Sequence, residues 1–202
     1  RERRIKTISV LLLAALTLGI ATLGAAQKEV SALKSTVVVD GDLSDWTTEA
    51  SVTLDPTMVT DKTDIADAND YSAQTYLSYD DDNFYIGANV LDEVTVFERG
   101  GDRLYETDAF EFWIGMNQFA VALSEGQAVL HQFSFSGEPV DLAATQVALE
   151  YTDTGYALEV AIPLTVVTTA AGSEVMAGSG FQYAVGANDT DTAGVAEDAR
   201  EG

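Results

Sequence analysis

Cysteine is absent from this chain of 202 residues, which excludes a disulfide framework, a lipidated cysteine anchor and any thiolate metal site. Histidine occurs once, as His131, so no zinc-ligand pattern can be assembled. Proline occurs three times, and neither a proline- and serine-rich linker nor an internal repeat divides the chain. Basic residues are scarce: ten Lys and Arg stand against 33 Asp and Glu, a formal net charge of −23. Such a field repels phosphate backbones and anionic lipid, so nucleic acid is not an expected partner. A neutral sugar or a cation is compatible with it. The motifs of catalysis are missing too. There is no glycine-rich phosphate loop, and Ser179-Gly180-Phe181 lacks the setting of a nucleophile elbow. Glycosidases need two carboxyls placed across one bond, and among so many acidic residues no pair stands out. The expectation is a protein without an active site.

What is present begins with a leader-like segment. Arg1-Glu2-Arg3-Arg4-Ile5-Lys6 is basic, residues 8–23 are almost unbroken apolar sequence, and Gly24-Ala25-Ala26 offers small residues for cleavage before Gln27. This predicts a signal peptide over 1–26, removed on export to the periplasm or the extracellular medium, with no membrane attachment afterwards. A retained anchor is the alternative, because the apolar run is near the lower length for spanning. Beyond the leader the basic residues are Lys28, Lys34, Lys62, Arg99, Arg103 and Arg200, so residues 27–202 form a still more acidic domain. The 47% apolar content of the whole chain is ample for a core.

That domain reads as β-structure throughout. Ala73, Thr75, Leu77 and Tyr79 alternate with polar or exposed positions, and so do Phe84, Ile86, Ala88 and Val90. Asp80-Asp81-Asp82-Asn83 lies between them as a hairpin turn. Strands are also predicted over 36–39, 51–54, 109–114, 119–123, 128–135, 146–151, 156–162 and 181–187. Only 163–171 could turn helically, and its β-branched residues predict no more than one short turn. Many short strands at regular spacing predict an all-β antiparallel sandwich.

Three blocks carry a family resemblance. They are Asp40-Gly41-Asp42 with Asp45-Trp46, the hairpin over 73–90, and Tyr105-Glu106-Thr107-Asp108-Ala109-Phe110-Glu111-Phe112-Trp113-Ile114-Gly115. In this order they resemble family 9 carbohydrate-binding modules over about 36–191, nearly the whole exported chain. The resemblance implies a jelly-roll-like sandwich that binds a sugar or glycan end without catalysis, assisting an attached or partner glycoside hydrolase in polysaccharide degradation. It also implies a further strand after Ala187, so the domain is expected to be truncated at its C-terminus.

By the same resemblance Tyr105 matches the aromatic that stacks on sugar six residues before a binding glutamate, and Glu111 matches that glutamate. An aromatic face suits the C–H face of a pyranose, and a carboxylate accepts hydroxyl hydrogen bonds. The competing reading has Tyr105 covering a sheet edge and Glu111 paired with Arg99 or Arg103. Asn188-Asp189 resembles the family's late Asn-Asp, making Asn188 either a donor to a hydroxyl or an Asx-turn residue. The chain departs from its relatives in two places. Ala120 stands where a basic residue grips the sugar, and the second aromatic expected close to Asn188 is missing.

Trp46 reads as a core plug packed under the sheet. Asp40, Asp42 and Asp45, with Asp189 and Asp191, are either turn-forming side chains or carboxylates of a structural calcium site, a hard cation suited to oxygen ligands. No organic cofactor is expected. The rival functions are a haem-binding electron-transfer sandwich using His131 with Met58, Met116 or Met176, and an extracellular scaffold or adhesion domain that binds no sugar.

Overall fold

A computed structural model describes residues 8–12, 28–46, 52–58 and 65–191. Among the described residues the strands are β1 (Ile8–Leu12), β2 (Lys28–Lys34), β3 (Val52–Leu54), β4 (Tyr71–Tyr79), β5 (Asn83–Asp92), β6 (Ala109–Ile114), β7 (Asn117–Ser124), β8 (Gln127–Gln132), β9 (Gln146–Thr152), β10 (Gly155–Pro163) and β11 (Gly180–Asn188), with one α-helix, α1 (Leu164–Ala171). One sheet runs β8-β7-β6-β11-β1-β2, and the second runs β2-β4-β5-β10-β9 with β3 beside β4. β2 belongs to both: Lys28–Ala32 pair with β1, and Leu33 and Lys34 pair with Ser78 and Tyr79 of β4. The sandwich is therefore antiparallel except at two seams, where β1 meets β11 and β2 meets β4 in parallel.

The strand alternation read from the sequence fills the interior. Phe110, Phe112, Ile114, Phe119 and Val121 of the first sheet face Leu77, Phe84, Ile86, Val90, Leu158, Val160 and Ile162 of the second. Burial of each large apolar side chain contributes about 1.5–3 kcal/mol. Phe112 stacks on Phe119 with ring centroids 5.1 Å apart, and Phe84 meets Phe181 edge-on at 5.3 Å. The β4–β5 turn forms at 80–83 because Asp80 Oδ1 accepts from the backbone N–H of Asp82 at 2.9 Å and of Asn83 at 2.8 Å.

Three local expectations are corrected. Residues 36–39 form no ladder, because the backbone N–H of Val38 is held by Asp45 Oδ2 at 2.8 Å and Thr36 Oγ1 donates to Asp80. Helix α1 is longer than the single turn expected, since Val167 and Ala170 bury against the sandwich and Thr169 Oγ1 donates to the Thr165 carbonyl at 2.9 Å. Trp46 does not plug the core between the sheets. It lies on the outer face of the second sheet with Val37, Tyr85 and Ala161, where Gly87 leaves room for its ring.

The apolar leader contributes β1 to the first sheet, while its other residues and the cleavage site at 24–26 lie outside the described residues, as does the tail beyond Asp191. Among the described residues no helix is long and apolar enough to cross a membrane.

Candidate functional site

On β6 the inward Phe110, Phe112 and Ile114 force Ala109, Glu111 and Trp113 onto the outer face of the first sheet. Register then decides their neighbours. Glu111 lies opposite Gly186 of β11 and Ala120 of β7, while Trp113 lies opposite Ala184 and Gln118. Asn188 is opposite Ala109 on the same face.

Glu111 is 5% exposed, and both carboxylate oxygens accept hydrogen bonds from side-chain amides. Gln118 Nε2 donates to Oε2 at 2.9 Å and Asn188 Nδ2 donates to Oε1 at 2.7 Å. The glutamate therefore fixes the rotation of both amides, leaving each amide oxygen able to accept from a ligand hydroxyl. Arg99 and Arg103 converge on Glu106, Arg99 Nε at 3.4 Å and Arg103 Nε at 2.8 Å from its Oε2.

Tyr105 sits on the 3₁₀ segment Gly101–Glu106, which folds over the same face. Leu104 and Phe133 are fully buried there against Ala109, Ala120 and Ala122, and Tyr105 packs on this cluster, 6.4 Å from Phe133 between ring centroids. The small side chain at Ala120 is what admits Phe133 and Leu104, so no basic residue stands beside Glu111 at that position. Asp102 ties the segment down. It accepts from the Ser134 backbone at 2.8 Å, from Ser134 Oγ, and lies 2.9 Å from His131 Nε2. Those bonds, Ser134 foremost and then His131, hold its carboxyl down at about 2. His131 thus has a latching role in this fold, while Met116 and Met176 are exposed.

Of the expected sugar residues, Glu111 and Asn188 are brought into direct contact and Tyr105 is placed on the same face. Gln118 and Trp113 complete the patch. Neither was singled out from the sequence as a sugar contact, because only the β6–β7 register shows that Gln118, not Ala120, has the reach to touch Glu111.

The carboxylates expected to hold a cation divide into two places. Asp40 Oδ1 accepts from Asp42 N at 3.0 Å, Asp42 Oδ1 from Ser44 N at 2.9 Å, and Asp45 holds Val38, all as turn-forming groups. Beside them the buried Glu159 accepts from Trp46 Nε1 at 2.7 Å, from Asp40 N at 2.8 Å and from Gly41 N at 2.6 Å. Asp189 and Asp191 behave differently. Asp70, Asp189 and Asp191 bring carboxylate oxygens within 4.8 Å of one another, and so do Asp92, Asp108 and Asp189. Asp70, Asp92 and Asp108, which sequence spacing did not mark, come from three separate loops and strand ends.

Asp92 is 3% exposed, and its Oδ2 is buried without a hydrogen-bond donor among the described residues, as is Asp189 Oδ1. Burial, with Asp92 and Asp189 as neighbours, pushes Asp108 up to about 8. Burial, then Asp191 and Asp92, push Asp189 up to about 7. Orphaned buried oxygens in an all-carboxylate set fit a hard divalent cation such as calcium and do not fit a soft one. A cleft of about 570 Å³ lined by Asn69, Asp92, Glu93, Thr95 and Tyr151 opens beside Asp92.

Solved structures that resemble the chain include two family 9 modules. One is a family 9 carbohydrate-binding module from Caldicellulosiruptor kristjanssonii in complex with cellotriose, 18% identical over 65% of this chain and 65% of that one, with a TM-score of 0.47. The other is a family 9 module from the same organism in complex with glucose, 17% identical over 66% of this chain and 68% of that one, also with a TM-score of 0.47. The first match thus spans less than two thirds of that module's length. No curated protein matches the sequence. The model of the carbohydrate family 9 binding domain-like family matches residues 39–200, which takes in both outer faces, Glu111, Asn188 and the carboxylate cluster; the chain belongs to that family.

Proposed function

We propose that this chain is an exported, non-catalytic carbohydrate-binding module that takes a neutral sugar or glycan end on the outer face of its first sheet. Glu111 is its organising residue, and it serves an attached or partner glycoside hydrolase in polysaccharide degradation. The observation that carries the reading is the bonding of Glu111 to Gln118 and Asn188 on an outer sheet face, between Trp113 on one side and Tyr105 on the other. Fixed amides beside aromatic rings suit a pyranose, whose hydroxyls need orientated polar groups and whose C–H face needs an apolar platform. Family membership supports the same reading.

Calcium is proposed as a structural ion at Asp92, Asp108 and Asp189, with Asp70 and Asp191 within reach of the same site. It would neutralise carboxylates that burial otherwise penalises. Asp108 immediately precedes β6 and Asp189 immediately follows β11, so the ion would pin the two strands that carry Glu111 and Asn188. Calcium would act on sugar binding through position, not contact.

The test is binding to insoluble cellulose and xylan, with calorimetric titration of cello- and xylo-oligosaccharides, each in calcium and in chelator. Saturable binding that weakens in chelator is expected. A folded protein that binds none of these glycans would move the function to a scaffold or adhesion role.

A further inference from the structure

We infer that Trp113 supplies the second aromatic surface of the sugar site, from the strand that carries Glu111 and not from the segment after Asn188. This rests on the sugar-binding reading and gives that site its second wall.

The argument begins at Gly186. A Cβ there would lie 3.1 Å from Cζ3 and 3.2 Å from Cη2 of Trp113, so the benzo half of the indole lies over the β11 backbone at this glycine. Gly186 is the residue opposite Glu111, and Ala184 is opposite Trp113 itself. Two small residues in succession on β11 thus make the bed on which a large ring reclines toward the glutamate. Trp113 nevertheless remains partly exposed, unlike the fully buried aromatics on the other face of the same strand. A ring placed only to fill the sandwich would point inward with Phe110 and Phe112.

The spacing completes the picture. Alternate residues of a strand lie about 7 Å apart, so Trp113 is the next side chain after Glu111 along the outer face of β6. Tyr105 packs on the cluster that covers Ala120 of β7, on one flank of Glu111, and the Trp113 ring lies over Gly186 of β11, on the other. Gln118, whose amide is held by Glu111, lies directly opposite Trp113. An apolar wall therefore borders each side of the carboxylate–amide cluster, despite the missing aromatic near Asn188.

The experiment exploits the fact that the chain has only two tryptophans. Trp46 is 9% exposed and bonded to Glu159 on the opposite side of the sandwich, so a ligand-induced change in emission reports on Trp113. Full-length protein is titrated with cello- and xylo-oligosaccharides by calorimetry and by tryptophan emission, alongside Trp113→Leu, which keeps an apolar cover over Gly186, and Trp113→Ala. Folding of each is checked by circular dichroism. Expected are a saturable emission change in the parent, its loss in both variants, and affinity lowered roughly tenfold, the scale of losing one stacked aromatic. Unchanged calorimetric affinity in folded Trp113→Leu, with parent emission indifferent to saturating sugar, would overturn the inference while leaving the sugar site standing. Absence of calorimetric binding in the parent would overturn the sugar reading itself, and this inference with it.

Discussion

Two buried glutamates organise the two outer faces of this sandwich, and they do so differently. Glu159 spends its oxygens on Trp46 Nε1 and on the backbone of Asp40 and Gly41, groups with no other task, and so holds the 40–46 turn against the second sheet. Glu159→Ala leaves an indole N–H and two amides without their acceptor and is expected to cost about 3 kcal/mol in denaturant unfolding, with sugar affinity of the folded fraction unchanged. Glu111 holds two side chains whose amide oxygens take no donor among the described residues, so its loss should fall on binding. Tyr105, Glu111 and Asn188 were marked by their match to the family pattern; what packing left unexplained was an acid beside Trp113 on a strand's outer face, and the structure sets Glu111 against Asn188 with Tyr105 on the adjoining 3₁₀ segment. Gln118 was not legible, since an amide in a strand is ordinary until register sets it against a carboxylate. Asp92 and Asp108 were hidden for the same reason: distant acids become a cluster only through topology.

At the scale of elements, period-2 alternation sufficed wherever a strand has one face in the core, which is why β4, β5, β6 and β10 stand close to where the pattern put them. It failed where backbone groups were claimed by side chains, as over 36–39, and where burial overrode propensity, as in α1. That helix ends on Gly172 at φ 68°, a left-handed cap with open space about its Cα. Gly172→Ala should therefore destabilise by about 1 kcal/mol through strain alone, read as a lower midpoint in urea. The apolar leader is the harder element. Ile8–Leu12 pair with Lys28–Ala32, and Ser9–Leu12 also with Gly180–Tyr183, yet the sequence assigns them to a segment removed on export. If that assignment is right, a chain beginning at Gln27 folds cooperatively and shows faster amide exchange at Phe181 and Tyr183 than the full chain. Failure of that shorter chain to fold would make β1 part of the functional domain.

For the whole molecule, the surplus of acid is the dominant electrostatic fact, and part of it is concentrated at the Asp92–Asp108–Asp189 cluster. Without a cation, Asp108 and Asp189 keep protons in the folded state up to about 8 and about 7, whereas in the unfolded chain they release them near the ordinary 3.8. The folded state then binds more protons across that window, so stability falls as pH rises from about 4 to about 8. Melting in chelator should occur at a lower temperature at about pH 8 than at about pH 5, and added calcium should remove most of that difference; identical melting with and without calcium at the higher pH would contradict a cation at this cluster. The same field keeps anionic polymers away and leaves the Glu111 face to neutral ligands. The most direct measurement is calorimetric titration of the parent and of Glu111→Ala with cello- and xylo-oligosaccharides in calcium. Saturable binding by the parent and none by the folded variant is the result predicted here, whereas equal binding by both, or no binding by a folded parent, would contradict a sugar site organised by Glu111.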